Sequence, residues 1–253
     1  MPDQFDLLIT GANVVTGPTI GPATLAVTGG RIAAILDPAA RPPAAVIIDA
    51  HGLHALPGLI DSHVHTRHPG IAEREDFRSG TSAAAAGGIT TLFEMPIAKV
   101  PTNSASGVQR RVAAMTPEAH IDFALYGGAG HENVHEIAGQ AAAGVVAFKT
   151  FLQPPPPTRR DEFFGLWCTD HATLRDVMAA VAATGSGFGV GLRNPNHQTA
   201  KVTAARRSAA ANNTAGRDEP GEEVVMGGCC SVGWASPTVV CRTVGDAHPT
   251  CLV

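Results

Sequence analysis

The chain has 253 residues, a mass of 26.0 kDa, a formal net charge of −4 and a pI near 6.2. With 44% hydrophobic and 16% charged residues it reads as globular, which excludes a mainly disordered chain. No basic block marks a nucleic-acid surface, and no apolar run reaches the roughly 18 residues a membrane helix needs.

Residues 5–56 read as short strands punctuated by turns: Asp6–Thr10, Val14–Val15, Thr24–Val27, Arg31–Leu36 and Ala45–Asp49. That spacing predicts a small antiparallel sheet or sandwich. From Leu56 the rhythm becomes alternating strand and helix. Leu59–Ile60 leads into Asp61-Ser62-His63-Val64-His65, and Asp76–Gly87 is alanine-rich and helical. Ile89–Met95 is a strand stopped by Pro96, and Ser106–Met115 is a helix. A strand at Ile121–Tyr126, a helix at Val134–Ala143, a strand at Val145–Lys149 and a helix at His171–Ala183 follow, with a fifth strand over Phe188–Leu192. This order implies parallel strands joined by crossover helices. The stretch Gly185–Gly191 lacks the spacing of a dinucleotide fingerprint. Pro154–Pro157 reads as a stiff surface loop, with a lid over a site as the sharper alternative.

The composition breaks near residue 190. The last 61 residues, from Arg193, contain no Ile, Phe or Tyr and one Leu, Leu252. Cys229, Cys230, Cys241 and Cys251 fall in that stretch, while Cys168 stands alone. The odd cysteine count argues against a disulfide framework, and the acidic start is unlike a signal peptide. Both features predict a cytoplasmic protein.

Two motifs carry metal chemistry. His63 and His65 sit at the end of a predicted strand, where a period of two points both imidazoles to one side. Converging neutral imidazoles make half of a transition-metal site. His131-Glu132-Asn133-Val134-His135 matches the H-E-x-x-H pattern of zinc proteases, which requires both histidines on one helical face. Here the glycines at 127, 128 and 130 put His131 at or before the helix start.

The run Pro57-Gly58-Leu59-Ile60-Asp61-Ser62-His63-Val64-His65-Thr66-Arg67-His68-Pro69-Gly70 resembles the opening of the cyclic amidohydrolases, that is dihydroorotase, allantoinase and hydantoinase (dihydropyrimidinase). Glu75–Thr81, Ala84–Thr91, Glu94-Met95-Pro96 and Ala143–Lys149 resemble the same family's next blocks, in order. The resemblance runs from about Asp6 to about Gly185. It implies an α/β fold, with a β-sandwich subdomain over 1–56 and a partial (β/α)8 barrel over 57–192, while the break in composition predicts an atypical, poorly ordered tail over 193–253.

It further implies two divalent metals, usually zinc, with His63 and His65 on the more buried one. Lys149 would carry a carbamate, as N6-carboxylysine, bridging both. Free lysine has a pKa of about 10.4 and reacts with carbon dioxide only as the neutral amine, so burial beside cations favours the step. Arg67 falls where dihydroorotase-like members place an arginine for the substrate carboxylate. Ile97 and Ala98 follow Pro96 where dihydroorotases tend to show Asn, which moves the expected substrate towards allantoin- or hydantoin-like rings. The implied partner is thus a small cyclic amide or ureide, without nucleic acid or membrane, and relatives of this kind are often homo-oligomers.

Three family residues are missing. A histidine after the fifth strand, another after the sixth, and an aspartate that serves as ligand and general base after the eighth have no match. His197 follows the strand-breaking Pro195, and Asp246 and His248 lie in a tail without periodicity. Lost motifs, lost Ile and Phe and gained Cys together suggest a frameshift near residues 184–190. Three readings follow: a cyclic amidohydrolase, a non-catalytic truncated relative or pseudoenzyme, and an HExxH zinc protease.

Overall fold

The computed structural model describes residues 4–70, 75–193, 199–204, 238–244 and 247–252. The chain divides into two compact units. The first comprises Met1–Glu94, Ala113–Ala124 and Gly233–Val253, and the second comprises Met95–Val112 and Leu125–Val232.

The first unit opens with β1 (Phe5–Val15), β2 (Ile20–Thr28), β3 (Arg31–Leu36), β4 (Ala44–Asp49) and β5 (His54–Pro57). β1 pairs antiparallel with β2, Leu7 facing Val27, and parallel with β4, Leu7 facing Val46. It also pairs parallel with β5, so the sheet is mixed where spacing alone predicts an antiparallel one. The reason lies in β1 itself. Gly11 adopts a left-handed φ of 76°, and the register shifts between Ile9 and Ala12. The glycine bends one long strand instead of ending it, and the far half of β1 takes β5 as its neighbour. Successive residues point to opposite faces, so Leu8 joins Phe5 and Ala26 while Ile9 joins Val14, Leu25 and Ala55. Leu8 and Leu25 are fully buried, and burial of each such side chain contributes about 1.5–3 kcal/mol.

In the tail, β12 (Thr238–Val244) pairs antiparallel with β5, and β13 (Ala247–Leu252) pairs antiparallel with β12. The remainder of the tail beyond Ala204, with Asp246, lies outside the described residues, as does His197.

The first unit also holds β6 (Leu59–Val64), α1 (Phe77–Ala86) and β7 (Ile89–Glu94). β6 and β7 run parallel, with Leu59 facing Ile89 and Val64 facing Glu94. Asp76 caps α1 by accepting the Ser79 amide at 2.7 Å, which satisfies one of the helix's otherwise unpaired donors. Phe77 at the start of α1 is fully buried and meets Phe123 edge-on, with ring centroids 5.1 Å apart.

The alternation continues through α2 (Ala105–Met115) and β8 (Asp122–Gly128), each divided between the two units, and in the second unit through α3 (Ile137–Ala142), β9 (Ala147–Phe151), α4 (His171–Thr184) and β10 (Gly187–Arg193). β9 pairs parallel with β8 and with β10, so Lys149 faces Gly128 on one side and Gly189 on the other. α4 is capped by Asp170 and closed by Gly185, whose φ of 70° is the left-handed conformation that favours glycine. β11 (Thr199–Ala204) then pairs antiparallel with β10, with Phe188 facing Ala204. Parallel pairing thus stops at β10, close to the break in composition.

Two predicted elements are displaced. The helix expected over Val134–Ala143 is a 3-10 turn at Val134–Glu136 followed by α3. The strand expected from Val145 begins at Ala147. Gly144 turns with φ 99°, the Val145 amide still bonds back to the Gln140 carbonyl, and the ladder opens where Ala147 meets Tyr126.

Candidate metal centre

The site is built on the end of β6. His63 and His65 flank Val64, the strand's last residue, and their ring centroids lie 5.3 Å apart at an interplanar angle of 61°. The structure therefore brings the two predicted imidazoles together as a strand period of two requires. Both are partly buried. The His63 amide donates to Asp61 Oδ1 at 3.0 Å, which ties down the entry to the motif.

The exit is held from β7. Glu94 is fully buried, and its two oxygens accept consecutive backbone amides: Oε2 from Thr66 and Oε1 from Arg67, each at 3.0 Å. Val64 faces Glu94 across the parallel ladder, so the register delivers this carboxylate to the turn that follows His65. Arg67 sits in that turn with a φ of 59°, a conformation uncommon for a residue with a side chain. In the sequence Glu94 stands out only as part of the Glu94-Met95-Pro96 motif block. A charged residue ending the buried strand Thr90-Thr91-Leu92-Phe93 was the signal that could have marked it.

Lys149 belongs to the second unit and is 5% exposed. Its Nζ lies 3.6 Å from Met95 Sδ and 5.0 Å from the centroid of the Phe151 ring. Phe151 packs with Ile97, Phe163 and Leu166, so the lysine stem runs beside an aromatic cluster. Gly191 on β10 leaves the room: a Cβ there would stand 3.2 Å from Lys149 Cε and 2.9 Å from Phe151 Cδ1. Met95 is held in turn by Arg111, a fully buried side chain whose Nη1 donates to the Met95 carbonyl at 2.9 Å.

His63 and His65 suit a divalent ion as two nitrogen ligands. Among the described residues no group of three or more His, Cys, Asp and Glu side chains is placed to hold one. The donor set within described residues thus fits part of a site.

The H-E-x-x-H match does not form a zinc-protease helix. Asn133 has non-helical dihedrals, φ −130° and ψ 25°, and the 3-10 turn begins only at Val134. His131 packs edge-on against Trp167 at 4.3 Å and its amide donates to the Trp167 carbonyl. Glu132 accepts the Gly165 amide at 2.7 Å, and His135 is exposed. These residues tie the loop after β8 to the segment before α4.

Comparison with known proteins agrees with this architecture. The model of the "Amidohydrolase family" matches residues 54–181, just over half of the chain. An allantoinase of Streptomyces avermitilis is 39% identical over 201 residues, covering 78% of this chain and 43% of that protein. An L-hydantoinase of Paenarthrobacter aurescens is 32% identical over 184 residues, covering 72% and 39%. Among solved structures, the L-hydantoinase (dihydropyrimidinase) from Arthrobacter aurescens aligns with a TM-score of 0.67 and 31% identity, covering 74% of this chain and 40% of that one. The chain thus spans about two-fifths of the length of these relatives, and its fold is the expected α/β one, a β subdomain with an incomplete barrel. With the ordered motifs, the strand-end histidine pair and the family match all falling on the same residues, the chain belongs to the amidohydrolase family.

Proposed function

We propose that this chain carries the amino-terminal share of a metal-dependent hydrolase site that opens a cyclic amide or ureide at a C–N bond. The observation that carries the reading is the His63–His65 pair at the end of β6, inside the segment matched by the family model. In this reading the two imidazoles hold a divalent ion, with zinc the natural choice for nitrogen ligands. Such an ion, when bound, acidifies water and polarises a carbonyl.

The chain's own residues prepare that chemistry. The strand fixes the His63 and His65 side chains on one side, so little orientational freedom is lost on binding. Lys149 first gives up its ammonium proton to solvent, and the neutral amine attacks carbon dioxide: an N–C bond forms as one C=O π pair moves onto oxygen, a second proton leaves the nitrogen to solvent, and an anionic carbamate stands where the ammonium was. The anionic oxygens then suit a cation, which the ammonium would repel. Arg67 offers paired N–H donors to a carboxylate or ureide oxygen of the substrate. A cytoplasmic setting suits the free, buried thiol of Cys168. Among the described residues no helix is long and apolar enough to cross a membrane.

A second reading, a non-catalytic relative, is favoured by one observation: the described residues complete no three-ligand cluster. Hydrolysis of allantoin, hydantoin and dihydroorotate by the purified full chain, supplied with zinc and bicarbonate, separates the two. Turnover of a cyclic ureide that His63→Ala or Lys149→Ala abolishes supports the hydrolase. Metal bound through His63 and His65 without turnover supports the non-catalytic relative. Binding of no divalent ion, with no turnover, contradicts the hydrolase and agrees with the non-catalytic relative.

A further inference from the structure

The described turn after His65 is anchored by one side chain from another strand. Glu94 is 0% exposed, and its carboxylate meets the turn through both oxygens, each accepting one backbone N–H at 3.0 Å, from Thr66 and from Arg67. Thr66 is itself buried, and Arg67 is the residue in the left-handed conformation. Carboxylates are rarely buried so completely unless their charge is matched by donors, and bonds to an ionised acceptor are the stronger kind.

We propose that Glu94 is a positioning residue for the metal centre: its carboxylate fastens the Thr66–Arg67 backbone and thereby fixes where the His65 imidazole stands. This inference rests on the reading of His63 and His65 as metal ligands. The requirement is for two acceptors. Glutamine has the same size but offers one carbonyl oxygen and one amide group, and that amide would face an N–H donor. Partners that orient a metal's ligands typically change its affinity 10- to 100-fold when altered.

The test compares the full-length wild type, Glu94→Gln, and the His63→Ala, His65→Ala double variant. Two readouts are used: cobalt(II) titration followed by visible absorption, and residue-resolved amide hydrogen exchange without metal. The expected result is a cobalt affinity at least tenfold weaker in Glu94→Gln, with an altered absorption spectrum. Exchange should be at least tenfold faster at Thr66 and Arg67 and unchanged in β1 and β2. A purely structural glutamate would not move the cobalt spectrum. Wild-type affinity and spectrum in Glu94→Gln would overturn the proposal, as would wild-type exchange at both amides. Cobalt binding that survives loss of both imidazoles would contradict the metal reading alone; faster exchange in Glu94→Gln would still uphold the anchoring. If Glu94→Gln does not fold, Glu94→Asp replaces it. One methylene shorter, it cannot keep both amides at 3.0 Å, and wild-type exchange at both would again overturn the proposal.

Discussion

Replacement of Gly191 by alanine tests whether the space beside Lys149 is built as described. Gly191 is buried on β10 opposite Phe151 of β9. An added Cβ would lie 2.9 Å from both Phe151 Cδ1 and Cε1 and 3.2 Å from Lys149 Cε. Both distances are shorter than the roughly 3.5–4.0 Å at which carbon atoms attract one another. The ring has little freedom to withdraw. Phe151 is 4% exposed, meets Phe163 at 5.2 Å between centroids, and packs with Ile97 and Leu166. Overpacking of such a site costs about 1–3 kcal/mol. Urea denaturation of Gly191→Ala should therefore show a lower midpoint at an unchanged slope. Adding Phe151→Leu removes the ring that the methyl strikes, so the double variant should lose less than the sum of the two single losses. A Gly191→Ala protein within about 0.5 kcal/mol of wild type, or strict additivity with Phe151→Leu, would refute the argued packing.

Other consequences can be checked on the same protein. The Asp170 carboxyl is held below the ordinary carboxylate range, chiefly by the Thr173 amide it accepts at 2.8 Å. Its stabilising effect is present above the unfolded value of about 3.9 and disappears as pH falls through the lower folded value. Asp170→Ala should thus destabilise α4 at neutral pH and match wild type once the native carboxyl is protonated; a constant difference down through that range would contradict the cap. Burial pushes the Cys168 thiol up, with the Thr150 hydroxyl opposing. Peptide-resolved alkylation at pH 8 should leave Cys168 unmodified in the native chain and modify it in urea, and rapid native labelling would contradict its burial. His135 is exposed on a 3-10 turn, so His135→Ala should change stability by no more than about 0.5 kcal/mol and leave metal binding intact. Loss of metal binding would revive the H-E-x-x-H site.

The parts of the fold legible in the sequence are those set by local signals. α1 begins at the capping Asp76 and α4 ends at Gly185, as capping and glycine rules place them. The His63–His65 convergence is legible because it needs only the strand's period of two. Parallel pairing of β4 with β1 is not legible, because partner choice is a long-range matter and the local cue, Gly11, reads as a turn when it is a bend. β9 starts two residues late because Val145, a strong strand former, closes the turn after α3 through Gln140, and Val146 reaches β8 only by its amide bond to the Leu125 carbonyl, ahead of the paired ladder. Glu94 shows the same limit from the other side. Its role depends on a register between β6 and β7 that no local pattern encodes.

The account stands most directly on the two histidines. Zinc titration of the metal-free full chain, read by competition with a chromophoric chelator, should show a divalent ion bound by the wild type. Binding should weaken at least tenfold in either His63→Ala or His65→Ala, while His131→Ala and His135→Ala bind as the wild type does. Zinc affinity unaffected by loss of His63 and His65 would contradict the central claim.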